Sequence, residues 1–173
     1  MAATVTGKIN ALSNFKFTPS SGFYANQTLS VPLAINATYT AGTSADQVDL
    51  IGAASYTLAP SASQVIDLTT DLLNPNGGSV NFARVRHLAV QVVCSTDGAV
   101  VTLAADATNG ATNLLSTGGV PILASTGTNA SGLIWNAPNT TGAVVDSTHK
   151  RLNLTNNATA SVTVYLLVAG ASA

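Results

Sequence analysis

Apolar and polar residues alternate with a period of two in run after run of this chain, and turn formers separate the runs. No other feature constrains the fold as strongly, because successive side chains of a β-strand point to opposite faces. Ser161-Val162-Thr163-Val164-Tyr165-Leu166-Leu167-Val168 alternates and then becomes apolar on both faces. Arg151-Leu152-Asn153-Leu154-Thr155 alternates cleanly, and Asn156-Asn157-Ala158-Thr159 between the two runs has turn composition. These two runs are expected to form a C-terminal hairpin. The longest strand candidate runs from Val80 to Val93. Its even positions carry Val80, Phe82, Leu88, Val90 and Val92, but Arg84 and Arg86 interrupt that face. Either the strand bulges there, or its first half leaves the core and meets a partner.

Further strand candidates are Leu29 to Tyr39, Gln47 to Leu58, Gln64 to Leu68, Ala99 to Ala104, Val120 to Ala124, Gly132 to Trp135 and Ala143 to Val145. Between them lie Asn74-Pro75-Asn76-Gly77-Gly78, Thr96-Asp97-Gly98, Thr117-Gly118-Gly119 and Asn136-Ala137-Pro138-Asn139. Asp97-Gly98 is the best hairpin turn, since both residues tolerate positive φ. Many short strands at near-regular spacing predict a sandwich or barrel. Helix signals are weak. Ala59 to Leu73 has some helical spacing, diluted by Ser and Thr, which favour caps and turns. The chain has no glutamate and little lysine to form i,i+4 ion pairs on an exposed helix.

Residues 1–28 read differently. Thr4 to Leu12 alternates. The following stretch is expected to be irregular, with Phe15, Phe17, Phe23 and Tyr24 among Ser, Thr, Pro19 and Gly22. Aromatic rings gathered in a short terminal segment dock on something, either the same core or a neighbouring subunit. The organisation is therefore an N-terminal arm or first strand at 1–28, followed by a β-sandwich domain at 29–173.

Charge narrows the function. Of 173 residues, 6 are Lys or Arg and 7 are Asp, a charged share of 8%. An ordinary soluble domain has roughly 25%. Acids, bases, metal ligands and phosphate clamps draw on the residue types that are scarce here, so a non-enzymatic role is expected. The net charge of -1 gives little colloidal repulsion, which favours association into something larger. Nucleic acid is not expected as a partner, because Arg84-Val85-Arg86-His87 and His149-Lys150-Arg151 are small basic clusters. Cys94 lies in an apolar run and reads as a small buried hydrophobe. Met1-Ala2-Ala3-Thr4-Val5 has neither a basic nor an apolar signal region, and no apolar run reaches 18 residues, so neither secretion nor membrane insertion is expected.

Candidate chemical sites are sparse. Asp46 and Asp49 lack the oxygen-rich spacing of a calcium loop. Asp67 and Asp71 would share a face of a strand but have no His or Glu nearby to support acid–base work. His87 and His149 are the only histidines, and no Gly-x-Ser-x-Gly elbow is present. Trp135, the single Trp, reads as a half-buried anchor in the sandwich or at a subunit interface. Stacked on a sugar, it would instead serve a carbohydrate-binding module, together with Tyr24 or Tyr39.

Several segments carry a resemblance. They are Ser44-Ala45-Asp46-Gln47, Tyr56-Thr57-Leu58-Ala59-Pro60-Ser61-Ala62-Ser63, Ile66-Asp67-Leu68-Thr69, Val80-Asn81-Phe82-Ala83-Arg84-Val85-Arg86 and the run from Tyr165 to Gly170. Over roughly residues 44–95 and 150–170 the pattern resembles small β-rich structural proteins of tailed bacteriophages, such as capsid decoration (cement) proteins. The resemblance implies a β-sandwich, often trimeric, with no catalytic residues to transfer. The expectation is an all-β chain forming a single, jelly-roll-like sandwich with an N-terminal arm. It would serve as a virion protein that decorates and stabilises a capsid, assembled in the host cytoplasm. Its partners would be further copies of itself, most simply as a homotrimer, and the major capsid protein or other virion proteins. Its contact residues would include Phe15, Phe17, Phe23, Tyr24, Arg84, Arg86 and Trp135. No cofactor or metal is called for. The alternatives are a tail or head-fibre subunit and the carbohydrate-binding module.

Overall fold

Residues 6–17, 29–96, 98–124, 131–137 and 141–173 are described by a computed structural model, and they hold strands and no helix. The strands are β1 Gly7–Phe17, β2 Leu29–Ala41, β3 Gln47–Val48, β4 Leu50–Leu58, β5 Ser63–Asp67 and β6 Arg84–Cys94. They continue with β7 Val100–Ala105, β8 Val120–Leu123, β9 Ser131–Asn136, β10 Ala143–Val144, β11 Arg151–Asn156 and β12 Val162–Ala171. The chain is all-β, and its strands pair antiparallel except for one short parallel pairing of strands, β2 with β3.

Two sheets face each other as a sandwich. One has the order β4, β12, β6, with β9 and β10 end to end along the far edge of β6. The other has the order β5, β11, β7, β8. Alternation decides which side chains meet between them. Val162, Val164, Leu166 and Val168 of β12 and Leu88, Val90 and Val92 of β6 point inward from the first sheet. Leu152 and Leu154 of β11, Val101 and Leu103 of β7 and Ile66 of β5 answer from the second. All belong to one buried cluster, completed by Leu68, Leu72, Val80 and Phe82 from the long β5–β6 connection. Burying each Leu or Val side chain contributes roughly 1.5–3 kcal/mol, so this aliphatic layer is the main source of stability.

Two sequence expectations fail here, for one reason. Arg151 to Thr155 and Ser161 to Val168 are strands β11 and β12, but they do not pair as a hairpin. β11 lies between β5 and β7, and β12 lies between β4 and β6. Likewise β6 and β7, on either side of Asp97-Gly98, belong to opposite sheets. Gly98 does take positive φ, +76°, while Asp97 lies outside the described residues. Alternation tells which residues of a strand face the core. It does not tell whether the next strand pairs alongside or crosses to the facing sheet.

The crossing after β11 is held by a residue that composition marks only as a turn former. Asn156 is fully buried. Its Nδ2 donates to the carbonyls of Ala59 at 2.9 Å, Ala160 at 2.9 Å and Leu58 at 3.2 Å. Its Oδ1 accepts from the Ala158 amide at 2.9 Å. One side chain thus ties the β4–β5 connection to the β11–β12 connection.

The strand expected from Val80 begins only at Arg84. The arginine interruption is a bulge. Ala169 of β12 pairs with His87, but the next residue, Gly170, pairs with Val85, so Arg86 is the extra residue. A bulge of this kind re-aims a side chain. Val85 now takes the inward position, at 0% exposure, and Arg86 is released from the apolar layer.

The N-terminal strand is longer than its alternation suggested. β1 runs through Phe15 and Phe17 and pairs residue for residue with β2, from Gly7 opposite Tyr39 to Phe17 opposite Leu29. Phe23 and Tyr24 lie outside the described residues.

Candidate interaction surface

On the β5–β11–β7–β8 sheet the outer face mixes polar pairs with apolar residues: Val65 is 39% and Leu123 61% exposed, and the Asn153 Oδ1 has no hydrogen-bond partner. Ser63 and Thr155 hydroxyls meet at 3.0 Å, and Asn157 donates to Thr102 at 2.8 Å. At its end Asp67 accepts from Lys150 Nζ at 2.8 Å, with Arg151 Nε 3.6 Å from the same oxygen. Partial burial pushes the Asp67 carboxyl up. The hydrogen bonds from Lys150 and from the Thr69 hydroxyl and amide outweigh that and hold it down at about 2.

On the β4–β12–β6–β9 sheet the outer face carries Ile51, Ala53, Ser55 and Thr57 of β4, and Thr163, Tyr165, Leu167 and Ala169 of β12. It continues with His87, Ala89, Gln91 and Val93 of β6, and Gly132, Ile134 and Asn136 of β9. None of these is Asp, Glu, Lys or Arg. Register places Ala53, Leu167, Ala89 and Ile134 in one row straight across the strands. Leu73 extends that row beyond β4, because it bridges to Ala53. Leu73 is 50% exposed, Tyr165 49%, Ile134 47% and Leu167 37%. A shallow groove runs between β9 and β12 along Ile134, Tyr165 and Leu167, and a second lies beside Leu73, Pro75 and Leu167. Isolated exposed apolar residues need no explanation, but a contiguous uncharged strip does.

The base of the β1–β2 ribbon sits on the same face. Ala37, Tyr39 and Val48 form a small buried cluster with Ala169 packed against it. The Tyr39 hydroxyl donates to the Arg86 carbonyl at 3.0 Å and reaches the Asn136 side chain. Arg86, 1% exposed, sends one guanidinium nitrogen to the Thr43 carbonyl at 2.6 Å and the other to the Gln47 carbonyl. An arginine on the apolar parity calls either for a carboxylate partner (Asp67, Asp71 or an acid of a neighbouring subunit) or for a place at an interface. Asp67 and Asp71 are not the partners of Arg86: the bulge turns it to the opposite side of the sheet from Asp67, and main-chain carbonyls take its two terminal nitrogens while Nε has no partner. Burial weakens the hold of Arg86 on its proton, and nearby Arg84 adds to the effect. Arg84 is half-buried, and none of the described carboxylates pairs with it.

The remaining sequence candidates fall into structural roles. Trp135 is half-buried and packs against the main core, and Tyr39 is only 2% exposed, so neither offers a free ring face to a sugar. Asp49 accepts from the Ser172 amide at 2.9 Å and hydroxyl at 2.5 Å, fixing the C-terminal end. Asp71 accepts from the Asp67 amide at 2.8 Å, and both carboxylates organise the turn after β5. Asp146 Oδ1 accepts from the amides of Thr148 and His149. The Thr148 hydroxyl and the Asp146 carboxylate both meet His149 at Nδ1, whereas a proton relay needs them on opposite ring nitrogens. Burial lowers the proton affinity of His87, whose Nδ1 has no hydrogen-bond partner. Among the described residues no three His, Cys, Asp or Glu side chains gather as a metal site. Cys94 is buried, its thiol directed at the Ser161 carbonyl.

Compared with known proteins, the chain matches no protein-family profile and no curated protein sequence.

Proposed function

We propose that the chain is a jelly-roll subunit of a virus particle, a homotrimeric decoration protein that binds the assembled capsid and stabilises it. Strand order supports the fold reading. Taken in chain order, the eight main strands nest first with last: β4 pairs with β12, β5 with β11, β6 with β9 and β7 with β8. That nesting is the arrangement of a jelly roll, an architecture shared by viral capsid and lectin domains. The burial of Trp135 and Tyr39 favours the first of these over the second.

The observation that carries the reading is the uncharged outer face of the β4–β12–β6–β9 sheet, with its exposed row of Leu73, Leu167 and Ile134. A face without charges can be covered over a large area at low desolvation cost. The resemblance to phage decoration proteins supplies the partner class. The mechanism is mass action: a protein that binds only the assembled shell shifts the balance towards assembly. Shells assembled without the chain test this directly. Adding the purified protein is expected to raise the temperature at which they come apart, in proportion to bound protein. Unchanged shell stability at saturating protein would overturn the reading.

A further inference from the structure

The base of the β1–β2 ribbon covers one end of the outer face of the β4–β12–β6–β9 sheet. Register sets Ala169, His87 and Asn136 side by side there. Ala169 packs against Ala37, Tyr39 and Val48, and the Tyr39 hydroxyl meets the Asn136 side chain. His87, between them, is 7% exposed, whereas Leu167 and Ile134 in the next row are exposed. The ribbon base is therefore what closes His87 off from water. A buried imidazole is sensitive to its charge state. Neutral, the ring can leave Nδ1 as a bare acceptor; charged, it must present an N–H there. Nδ1 of His87 has no hydrogen-bond partner, so that N–H would be a buried donor without an acceptor. Arg86, its chain neighbour, already places a positive charge in the same base, and its Nε is also without a partner. The other charged or titratable groups around the base are Tyr39 of β2, Asp46 and Asp49 on either side of β3, and Arg84 of β6. Neither carboxylate reaches Nδ1, and Asp49 is taken up by Ser172. Beside His87, β9 and β12 offer the uncharged Asn136 and Ala169, and Lys8 of β1 lies opposite Thr38 on the exposed side of the ribbon.

We infer that His87 is an acid-sensitive latch, whose protonation loosens the base of the β1–β2 ribbon from the outer face of the β4–β12–β6–β9 sheet. The latch goes beyond the decoration reading and does not depend on what the outer face binds. Burial lowers the proton affinity of His87 in the closed base, and a main-chain hydrogen bond with Trp135 only partly opposes this. Opening the base returns the ring to water and to the ordinary His value of about 6.5. The open state then binds the proton more tightly than the closed one. Closure is fully favoured above that ordinary value, loses ground as pH falls from it, and levels off below the lowered closed-state value. Tyr39 stays neutral throughout, because burial holds its proton more tightly still. Release of the base would uncover Ala169 and His87 and lengthen the uncharged strip that Leu167 and Ile134 begin.

Amide exchange in the full chain, corrected for the intrinsic effect of pH on exchange, tests this. The reporters are Thr40 and Gly42, whose amides donate to the Asp46 and Val48 carbonyls across the base, and Asp49, whose amide donates to the Gly170 carbonyl. Opening at these three is expected to rise several-fold from about pH 7.5 to about pH 5.5, with a ceiling of about tenfold set by the ordinary His value. The β7–β11 amides should stay slower than the base at every pH. His87→Gln should abolish the rise, and His149→Gln should keep it. A rise that survives His87→Gln, no rise in the parent, or a base that opens only together with the β7–β11 core would each overturn the inference. Proton NMR of the parent chain needs no variant. The His87 ring should titrate with a midpoint below about pH 6.5, and a midpoint at or above that value would overturn the inference as well.

Discussion

Replacing Asn156 by Leu removes a side chain of similar size that satisfies both ends of a sheet-to-sheet crossing. In the parent, Nδ2 donates to the Ala59 and Ala160 carbonyls at 2.9 Å, with a longer contact to Leu58, and Oδ1 accepts from the Ala158 amide. Each such bond contributes about 1 kcal/mol net, and a buried group left without a partner costs about 1–3 kcal/mol. Ala59 is exposed and can turn to water, whereas the site of Asn156 itself is closed at 0% exposure. The sum is a loss of about 3–5 kcal/mol for Asn156→Leu. With a urea slope of about 2 kcal/mol per molar, the unfolding midpoint should fall by roughly 2 M at equal protein concentration. Asn156→Asp should be worse at neutral pH, because a carboxylate would face three carbonyls. Its carboxyl would titrate above the ordinary range in the folded state, so the deficit relative to parent should shrink as pH falls from that raised value towards about 4 and level off below it, where the acid is protonated in both states. Circular dichroism during urea titration reads both effects. A midpoint for Asn156→Leu within about 0.25 M of parent, about 0.5 kcal/mol at that slope, would refute the assignment of Asn156 as a structural tie.

Asp67 gives a pH prediction of the opposite sign. Its folded-state value is depressed to about 2, so its stabilisation is complete above the ordinary carboxylate range and is lost as pH falls from about 4 through about 2. Solvent screening reduces the effect to about 1 kcal/mol, and Asp67→Asn should flatten that part of a stability–pH curve. Arg86→Met should accelerate amide exchange across residues 42–48 and the Tyr39 end of β2 by at least tenfold while sparing the centres of β6 and β12, and uniform protection would contradict the clamp. Gly170→Ala would bring its Cβ to 1.9 Å from the Arg84 carbonyl at the bulge, so a loss of about 2–3 kcal/mol is expected in thermal unfolding, and a neutral effect would argue against the bulge register.

Strand positions were legible in the sequence because each follows from local alternation. The expected runs at 29–39, 64–68, 99–104, 120–124 and 132–135 fall on β2, β5, β7, β8 and β9 with shifts of a residue or two. Only the expected run at 47–58 is divided, into β3 and β4 at Asp49. Strand partners were not legible, because the same turn composition serves a hairpin and a crossing between sheets. Asn156-Asn157 shows why: its side chains bond groups far away in sequence, on Ala59 and Thr102. Arg86 was legible as an anomaly on an apolar parity. Its resolution depended on the β12 register and on carbonyls of a loop 39 and 43 residues away. The uncharged outer face was legible only as a low overall charge, since gathering Ala53, Leu167, Ala89 and Ile134 into one row needs three strand registers.

The most direct measurement of the central claim is the mass of the purified chain by sedimentation, alone and mixed with capsid shells that lack it. The account predicts a defined oligomer, three times the 17.3 kDa chain mass, that moves with the shells at a fixed stoichiometry. A stable monomer at high micromolar concentration that never moves with the shells would contradict it.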